Sequence, residues 1–215
     1  MIRPTEVTVA DGEPPVLLAV EAAGTRDPDD EWAQLSEAER AATAAMDGVR
    51  TEEFVRGRSL LRRLAGSVLD LPSAEVPLLL EPGGRPYLPD PSVGISLSHT
   101  EGCTAAALRR GGPVGVDVQR PPERVEDRLV RRCCGTWAEE VLSLPGAARA
   151  AAFARVWAVQ EACVKSLGLG IFAVPWQIAV RPGARHGRWR EVSWRSLEDA
   201  APCALALATP LTQGL

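Results

Sequence analysis

Pro113-Val114-Gly115-Val116-Asp117-Val118-Gln119 and, after a long interval, Phe153-Ala154-Arg155-Val156-Trp157-Ala158-Val159-Gln160-Glu161-Ala162-Cys163-Val164-Lys165 are the two stretches whose reading decides the fold. In the first, Val114, Val116 and Val118 alternate with Gly115, Asp117 and Gln119. Period-two geometry predicts a strand with the valines in a core and the other three residues on the opposite face. In the second, Trp157, Glu161 and Lys165 recur every four residues, which predicts a helix with a carboxylate and an ammonium one turn apart on one face. Brought together, the stretches place a carboxylate pair beside a lysine. Such a set suits a divalent cation that carries a phosphate, with few hard oxygen ligands, positions left for water and phosphate oxygens, and a Lys for the residual charge. On spacing alone two plainer readings stay open. Glu161 and Lys165 also fit a surface pair worth roughly 0.2–0.5 kcal/mol to a helix, and Asp117 also fits a solvated strand face.

Upstream, Gly94-Ile95-Ser96-Leu97-Ser98-His99-Thr100 alternates as a strand, with Ile95, Leu97 and His99 on one face and Ser96 and Ser98 on the other. Residues 103–109 and 114–118 flank Arg110-Gly111-Gly112-Pro113, which predicts a hairpin at the hand-over between two halves. Earlier still, residues 14–23 predict a first buried strand. Ser36 followed by Glu39 reads as the capping box of a helix that runs to Met46 and stops at Asp47-Gly48. A second helix takes residues 52–69, where Arg56, Arg58, Arg62 and Arg63 fit a solvated face. Residues 76–80 predict a short strand and residues 81–86 a turn.

Downstream, residues 125–132 begin a helix, and Thr136 with Glu139 reads as a capping box that opens another through Leu142. Gly168-Leu169-Gly170 ends the long helix, and strands follow at residues 178–181, 188–194 and 204–209. The order strand, helices, strands thus occurs twice. This predicts an α+β fold of two similar halves, residues 1–112 and 113–215.

The 215 residues suffice for one large domain or two small halves, and 46% hydrophobic with 24% charged residues is the composition of a soluble globule. A net charge of -4 and a pI near 5.4 supply no overall basic field, which argues against general nucleic-acid binding. Cys103, Cys133, Cys134, Cys163 and Cys203 include an adjacent pair and an odd member with no Cys-x-x-Cys spacing. They make a poor disulfide framework and no zinc site, so a reducing cytoplasm is expected. The N-terminus lacks a charged-then-apolar signal pattern and the apolar run at residues 16–20 is too short for a bilayer, so neither secretion nor a membrane span is expected.

The paired stretches resemble the signature of the 4'-phosphopantetheinyl transferases, Gly-x-Asp followed by Trp-x-x-Lys-Glu-Ala-x-x-Lys. Here they stand as Gly115-Val116-Asp117 and the run from Trp157 to Lys165, closed by Gly168-Leu169-Gly170. Gly84-Arg85-Pro86, Ser96-Leu97-Ser98-His99 and an Arg50/Phe54/Gly57-Arg58 run precede them in the family's order. Length and the N-terminal half resemble the larger, surfactin-synthetase-activator (Sfp) type rather than the short trimeric type. That resemblance implies a monomer whose pseudo-duplicated halves form a pseudo-dimeric fold. Residues 1–112 would bind the nucleotide end of coenzyme A, and residues 113–215 would carry the metal site and the carrier-docking surface.

The activity it implies is transfer of 4'-phosphopantetheine from coenzyme A to a serine hydroxyl of an apo acyl or peptidyl carrier protein, releasing adenosine 3',5'-bisphosphate. Asp117, Glu161 and Lys165 would be catalytic; Asp117, Glu161 and Gln119 would hold Mg²⁺; Glu161, or a water it polarises, would take the serine proton. Arg50, Arg58, Arg85, Ser98, His99 and Lys165 would bind coenzyme A, with Arg50, Arg58 and His99 at the 3'-phosphate and Arg85 beside the adenine end. The arginines at 124, 128, 131 and 132 fit a landing site for an acidic carrier, and fit equally a solvated face balanced by Glu123, Glu126 and Asp127. Two residues depart from the pattern. Gln119 stands where many relatives have Glu, which removes a full negative charge, and Gln160 stands where many have Lys, which removes a cation near the site. A non-catalytic homologue that binds coenzyme A or a carrier protein is the alternative reading.

Overall fold

The computed structural model describes residues 2–170, 174–197 and 203–211. Its elements run β1 (Thr5–Val7), β2 (Val16–Ala22), α1 (Pro28–Ala33), α2 (Glu37–Ala42), α3 (Gly48–Leu69), β3 (Leu79–Leu80), β4 (Pro86–Tyr87), β5 (Val93–Thr100), β6 (Cys103–Arg110) and β7 (Gly115–Gln119). After them come α4 (Asp127–Cys134), α5 (Ala138–Leu142), α6 (Gly146–Ser166), β8 (His186–Trp189), β9 (Val192–Ser196) and β10 (Ala204–Pro210). Two antiparallel four-stranded sheets result, in the orders β1-β2-β6-β5 and β7-β10-β9-β8.

Strand alternation builds the layers. Ala106 and Leu108 of β6 turn toward Leu60, Leu61 and Leu64 of α3, while Ala105 and Ala107 turn the other way. Ala206 and Ala208 of β10 likewise face Val156, Val159 and Cys163 of α6, while Leu205 and Leu207 face away. The two outward-turned sets meet with Val16, Leu18, Val114, Val116 and Val118 in a core shared by both sheets. Each sheet therefore has a long helix on one face and the other sheet on the opposite face. No helix among the described residues is long and apolar enough to cross a membrane.

The Arg110–Pro113 turn is not a hairpin. β6 pairs with β2 and β5, whereas β7 leaves that sheet and pairs with β10. Gly111 and Gly112, at φ 97° and 127°, make the crossing, and both give their N–H groups to the Ser92 carbonyl. The start of β5 meets this crossing closely: a Cβ at Gly94 would overlap the Gly112 carbonyl and come within 2.8 Å of Pro113 Cα. Buried Arg109 holds the crossing shut, ion-paired to Glu13 and donating to the carbonyls of Pro113 (3.3 Å) and Pro210 (3.2 Å).

Beyond the crossing, β5 and β7 run side by side without a backbone ladder. The N–H groups of Val116, Val118 and Arg120 donate instead to the hydroxyls of Ser96 (3.0 Å), Ser98 (3.3 Å) and Thr100 (3.4 Å). Alternating hydroxyls on β5 thus satisfy an edge that would otherwise be unpaired.

Other local expectations divide. The Ser36–Glu39 capping box is formed, but α2 ends at Ala42, and Asp47 opens the next helix by accepting from Arg50 N at 2.9 Å. Arg58, Arg62 and Arg63 are buried, not solvated. Arg63 grips both Glu21 oxygens of β2 (2.8 and 2.5 Å), and Arg62 pairs with Glu39 while donating to the carbonyls of Ser73, Ala74 and Val76. No capping box forms at Thr136, where Gly135–Trp137 is a 3-10 turn and Glu139 pairs with Arg131. Residues 178–181 are not a strand; they follow the 3-10 turn Pro175–Gln177. Residues 188–194 divide into the β8–β9 hairpin, turned by Arg190 at φ 52°.

Gly115 sets how closely β7 lies on α6. A Cβ there would overlap the Ala162 carbonyl and approach Ser166 N to 2.6 Å, and both are helix backbone that cannot rotate away. Gly115→Ala should destabilise the fold by about 3 kcal/mol, the upper part of the usual range for overpacking. Chemical denaturation measures it; a loss below about 1 kcal/mol would mean that strand and helix separate freely.

Candidate functional site

The β7–α6 contact, together with the β5 hydroxyls, assembles the site. Asp117, like Gly115 and Gln119, is on the face of β7 turned away from the shared core, yet it is only 2% exposed because α6 and β5 close over it. Lys165, in the last turn of α6, places Nζ 2.6 Å from Asp117 Oδ1 and 2.9 Å from Ser98 Oγ. Ser98 donates its own proton to the same Asp117 oxygen at 2.7 Å, and Gln119 Nε2 donates to Asp117 Oδ2 at 2.8 Å. Both carboxylate oxygens are therefore engaged, one by an ammonium and a hydroxyl and the other by an amide.

Glu161, one helical turn before Lys165, is half-buried, and its carboxylate makes no hydrogen bond to a described residue. Burial first, and then the nearby charge of Asp117, push its carboxyl above the ordinary range against the pull of Lys165. Among the described residues no group of three or more His, Cys, Asp and Glu side chains is placed to hold a metal. The oxygen donors gathered here are two carboxylates and the Gln119 amide. Their chemistry fits a hard divalent cation, which would relieve the repulsion that Glu161 and Asp117 now carry. Cys163, on the same helix, is fully buried, and burial pushes its thiol up to about 12.

Lys165 and Glu161 face a cleft of about 990 Å³, while Asp117 and Ser98 lie behind them. The loop between β3 and β4, with Arg85, also lines the cleft. The Arg85 guanidinium lies against Gly168, where φ is 66° and an added Cβ would collide with it, so the glycine after α6 admits the arginine. Trp157, stacked on Phe153 at 6.4 Å, and Trp176, with Arg132 3.5 Å above its ring, add apolar lining.

The structure thus brings Asp117, Gln119, Glu161, Lys165 and Ser98 together, with Arg85 lining the same cleft. Arg50, Arg58 and His99 do not line that cleft. Arg50 is exposed on the first turn of α3; Arg58 is buried over the Phe54 ring and 3.9 Å from Glu39; His99 is 46% exposed with Nδ1 4.0 Å from Glu53. Gln160 is no part of the site, contrary to expectation. One residue along a helix turns about 100°, and Gln160 is fully buried with Nε2 donating to the carbonyls of Cys133 and Ile178, both at 2.8 Å. A neutral amide there joins α6 to α4 and to residue 178 without burying a charge. Trp176 carries no motif in the sequence; its one signal is that it is the first tryptophan after the Gly168-Leu169-Gly170 stop.

The strand carboxylate and the helix Glu and Lys lie within residues 113–206, which the 4'-phosphopantetheinyl transferase superfamily model matches, and the chain belongs to that family. A second model, the 4'-phosphopantetheinyl transferase N-terminal domain, matches residues 37–109, consistent with the larger type. The chain is also similar to the 4'-phosphopantetheinyl transferase HetI of Nostoc sp. (strain PCC 7120 / SAG 25.82 / UTEX 2576). The two are 28% identical over 166 residues, covering 72% of this chain and 70% of that protein.

Proposed function

We propose that this chain transfers 4'-phosphopantetheine from coenzyme A to a serine of an apo acyl or peptidyl carrier protein, releasing adenosine 3',5'-bisphosphate. The observation that carries this reading is the Asp117–Lys165–Ser98 cluster with the Glu161 carboxylate, which has no hydrogen-bond partner among the described residues, on the lining of the cleft. Asp117, Glu161 and Gln119 would hold Mg²⁺, which when bound neutralises charge on the pyrophosphate.

The chain's own residues carry the rest. The carrier serine oxygen attacks the phosphorus that bears the pantetheine arm, and the bond from that phosphorus to the bridging oxygen breaks. The serine proton passes to the Glu161 carboxylate, directly or through a water, and the raised proton affinity of Glu161 suits it to this task. Lys165 reaches from Asp117 into the cleft and stabilises the charge that builds on the departing phosphate. Arg85, which lines the same cleft, offers a planar fork of donors to phosphate oxygens. Arg50, Arg58 and His99 are assigned to the 3'-phosphate on the resemblance alone.

We also propose that residues 1–112 and 113–215 are pseudo-duplicated units, the first for the nucleotide end and the second for metal and carrier. Their pairing order supports this: in each, the strand before the long helix pairs with the last strand, β2 with β6 and β7 with β10.

Release of adenosine 3',5'-bisphosphate, followed chromatographically with an apo carrier and with the same carrier lacking its acceptor serine, tests the reading. Release should depend on that serine; equal release without it would indicate hydrolysis. Gln119→Glu tests the metal assignment. It replaces the amide donor to Asp117 by a second carboxylate, so the Tm without metal should fall. The Mg²⁺ concentration for half-maximal transfer should fall as well, because a hard anionic oxygen is restored. An unchanged Mg²⁺ requirement would show that position 119 is out of the metal's reach.

A further inference from the structure

Ser98 makes more bonds than the other hydroxyls along the β5–β7 seam. Ser96 and Thr100 each accept one backbone N–H from the neighbouring strand. Ser98 accepts the equivalent bond from Val118 and also accepts from Lys165 Nζ at 2.9 Å while donating to Asp117 Oδ1 at 2.7 Å. A hydroxyl has one proton to give and two lone pairs to fill. With Val118 N–H and the ammonium on the lone pairs, the proton has a single direction left, toward Asp117. The side chain is buried and does not line the cleft.

We propose that Ser98 is a positioning residue, whose hydroxyl fixes the Asp117 carboxylate and the Lys165 ammonium relative to each other and makes no contact with the nucleotide. The proposal rests on the transfer reading above and reassigns a residue that the resemblance places on coenzyme A. It also gives the join between the halves a chemical task. β5 belongs to the first sheet, whereas β7 belongs to the second, on which α6 packs, so the hydroxyl that positions the carboxylate and the ammonium of one half is supplied by the other.

The test compares Ser98→Ala with Ser96→Ala in the full chain. Each removes one seam bond to a β7 N–H, but only the first removes bonds to Asp117 and Lys165. Ser98→Ala should lower kcat for transfer by about 10- to 100-fold, as loss of an orienting partner commonly does, and clearly more than Ser96→Ala. Calorimetric affinities for coenzyme A and for dephospho-coenzyme A, measured without metal, should keep their wild-type ratio. If Ser98→Ala does not fold, Ser98→Cys, of similar size and with a poor hydrogen-bonding group, carries both measurements. A kcat equal to that of Ser96→Ala, or a ratio that moves toward one, would overturn the proposal. A wild-type chain inert toward every carrier overturns the transfer reading instead, and the binding ratio still shows whether Ser98 touches the phosphate.

Discussion

Glu161→Gln should lower phosphopantetheine transfer by roughly two orders of magnitude or more while leaving the Tm equal to or above that of the wild type. The substitution keeps the size of the side chain and removes its charge and its ability to take a proton. The sign of the stability effect follows from the environment. Burial and Asp117 raise the Glu161 carboxyl in the folded state, so its ionised form costs stability at pH values above its ordinary range. A neutral amide removes that cost. Lys165→Met is a less selective variant, because it also strips the nearly fully buried Asp117 of its ammonium partner. Transfer rate and melting temperature measured together decide the point; a folded Glu161→Gln variant with wild-type transfer would remove Glu161 from the chemistry.

The largest expected effect on stability lies in α3. Arg62→Met should destabilise the fold by about 3–5 kcal/mol, because it leaves a half-buried carboxylate and several carbonyls without their donor. Those groups are Glu39 and the carbonyls of Ser73 (2.9 Å), Ala74 (3.3 Å) and Val76 (3.0 Å), and Arg62 itself is 2% exposed. For a chain of this length the Tm should fall by roughly 10 °C. Met keeps most of the apolar volume, so the loss reports the bonds rather than a cavity. A fall of only a degree or two would mean that water replaces the guanidinium.

These two residues mark what the sequence does and does not reveal. That Glu161 and Lys165 share a face, and that Asp117 turns away from the valines, was legible because periods of two and four report faces directly. Spacing alone left plain surface readings open; the resemblance singled these residues out as a site, where the structure puts the two faces against each other. The burial of Arg58, Arg62 and Arg63 was not legible. Helical spacing shows that arginines share a region of the helix but not that Glu21 and Glu39, distant in the chain, turn inward to meet them.

The same limit hid the crossing at residues 110–113. Gly111, Gly112 and Pro113 announce a turn, but whether the next strand stays in the sheet depends on β10, about ninety residues further on. Alternation did place Ser96 and Ser98 on one face of β5. That the face meets the edge of β7 instead of solvent is a property of the two-sheet arrangement. Gln160 was misplaced for a simpler reason: its neighbour Glu161 faces the cleft, and adjacent helix positions point apart.

The most direct measurement is the intact mass of an apo carrier protein after incubation with this chain, coenzyme A and Mg²⁺. Wild-type chain should add the mass of one phosphopantetheine group to the carrier, and a carrier with its acceptor serine replaced should stay unchanged. A panel of acyl and peptidyl carriers that all keep their apo mass, while the chain is folded and binds coenzyme A, would contradict transfer and leave a binding protein in its place.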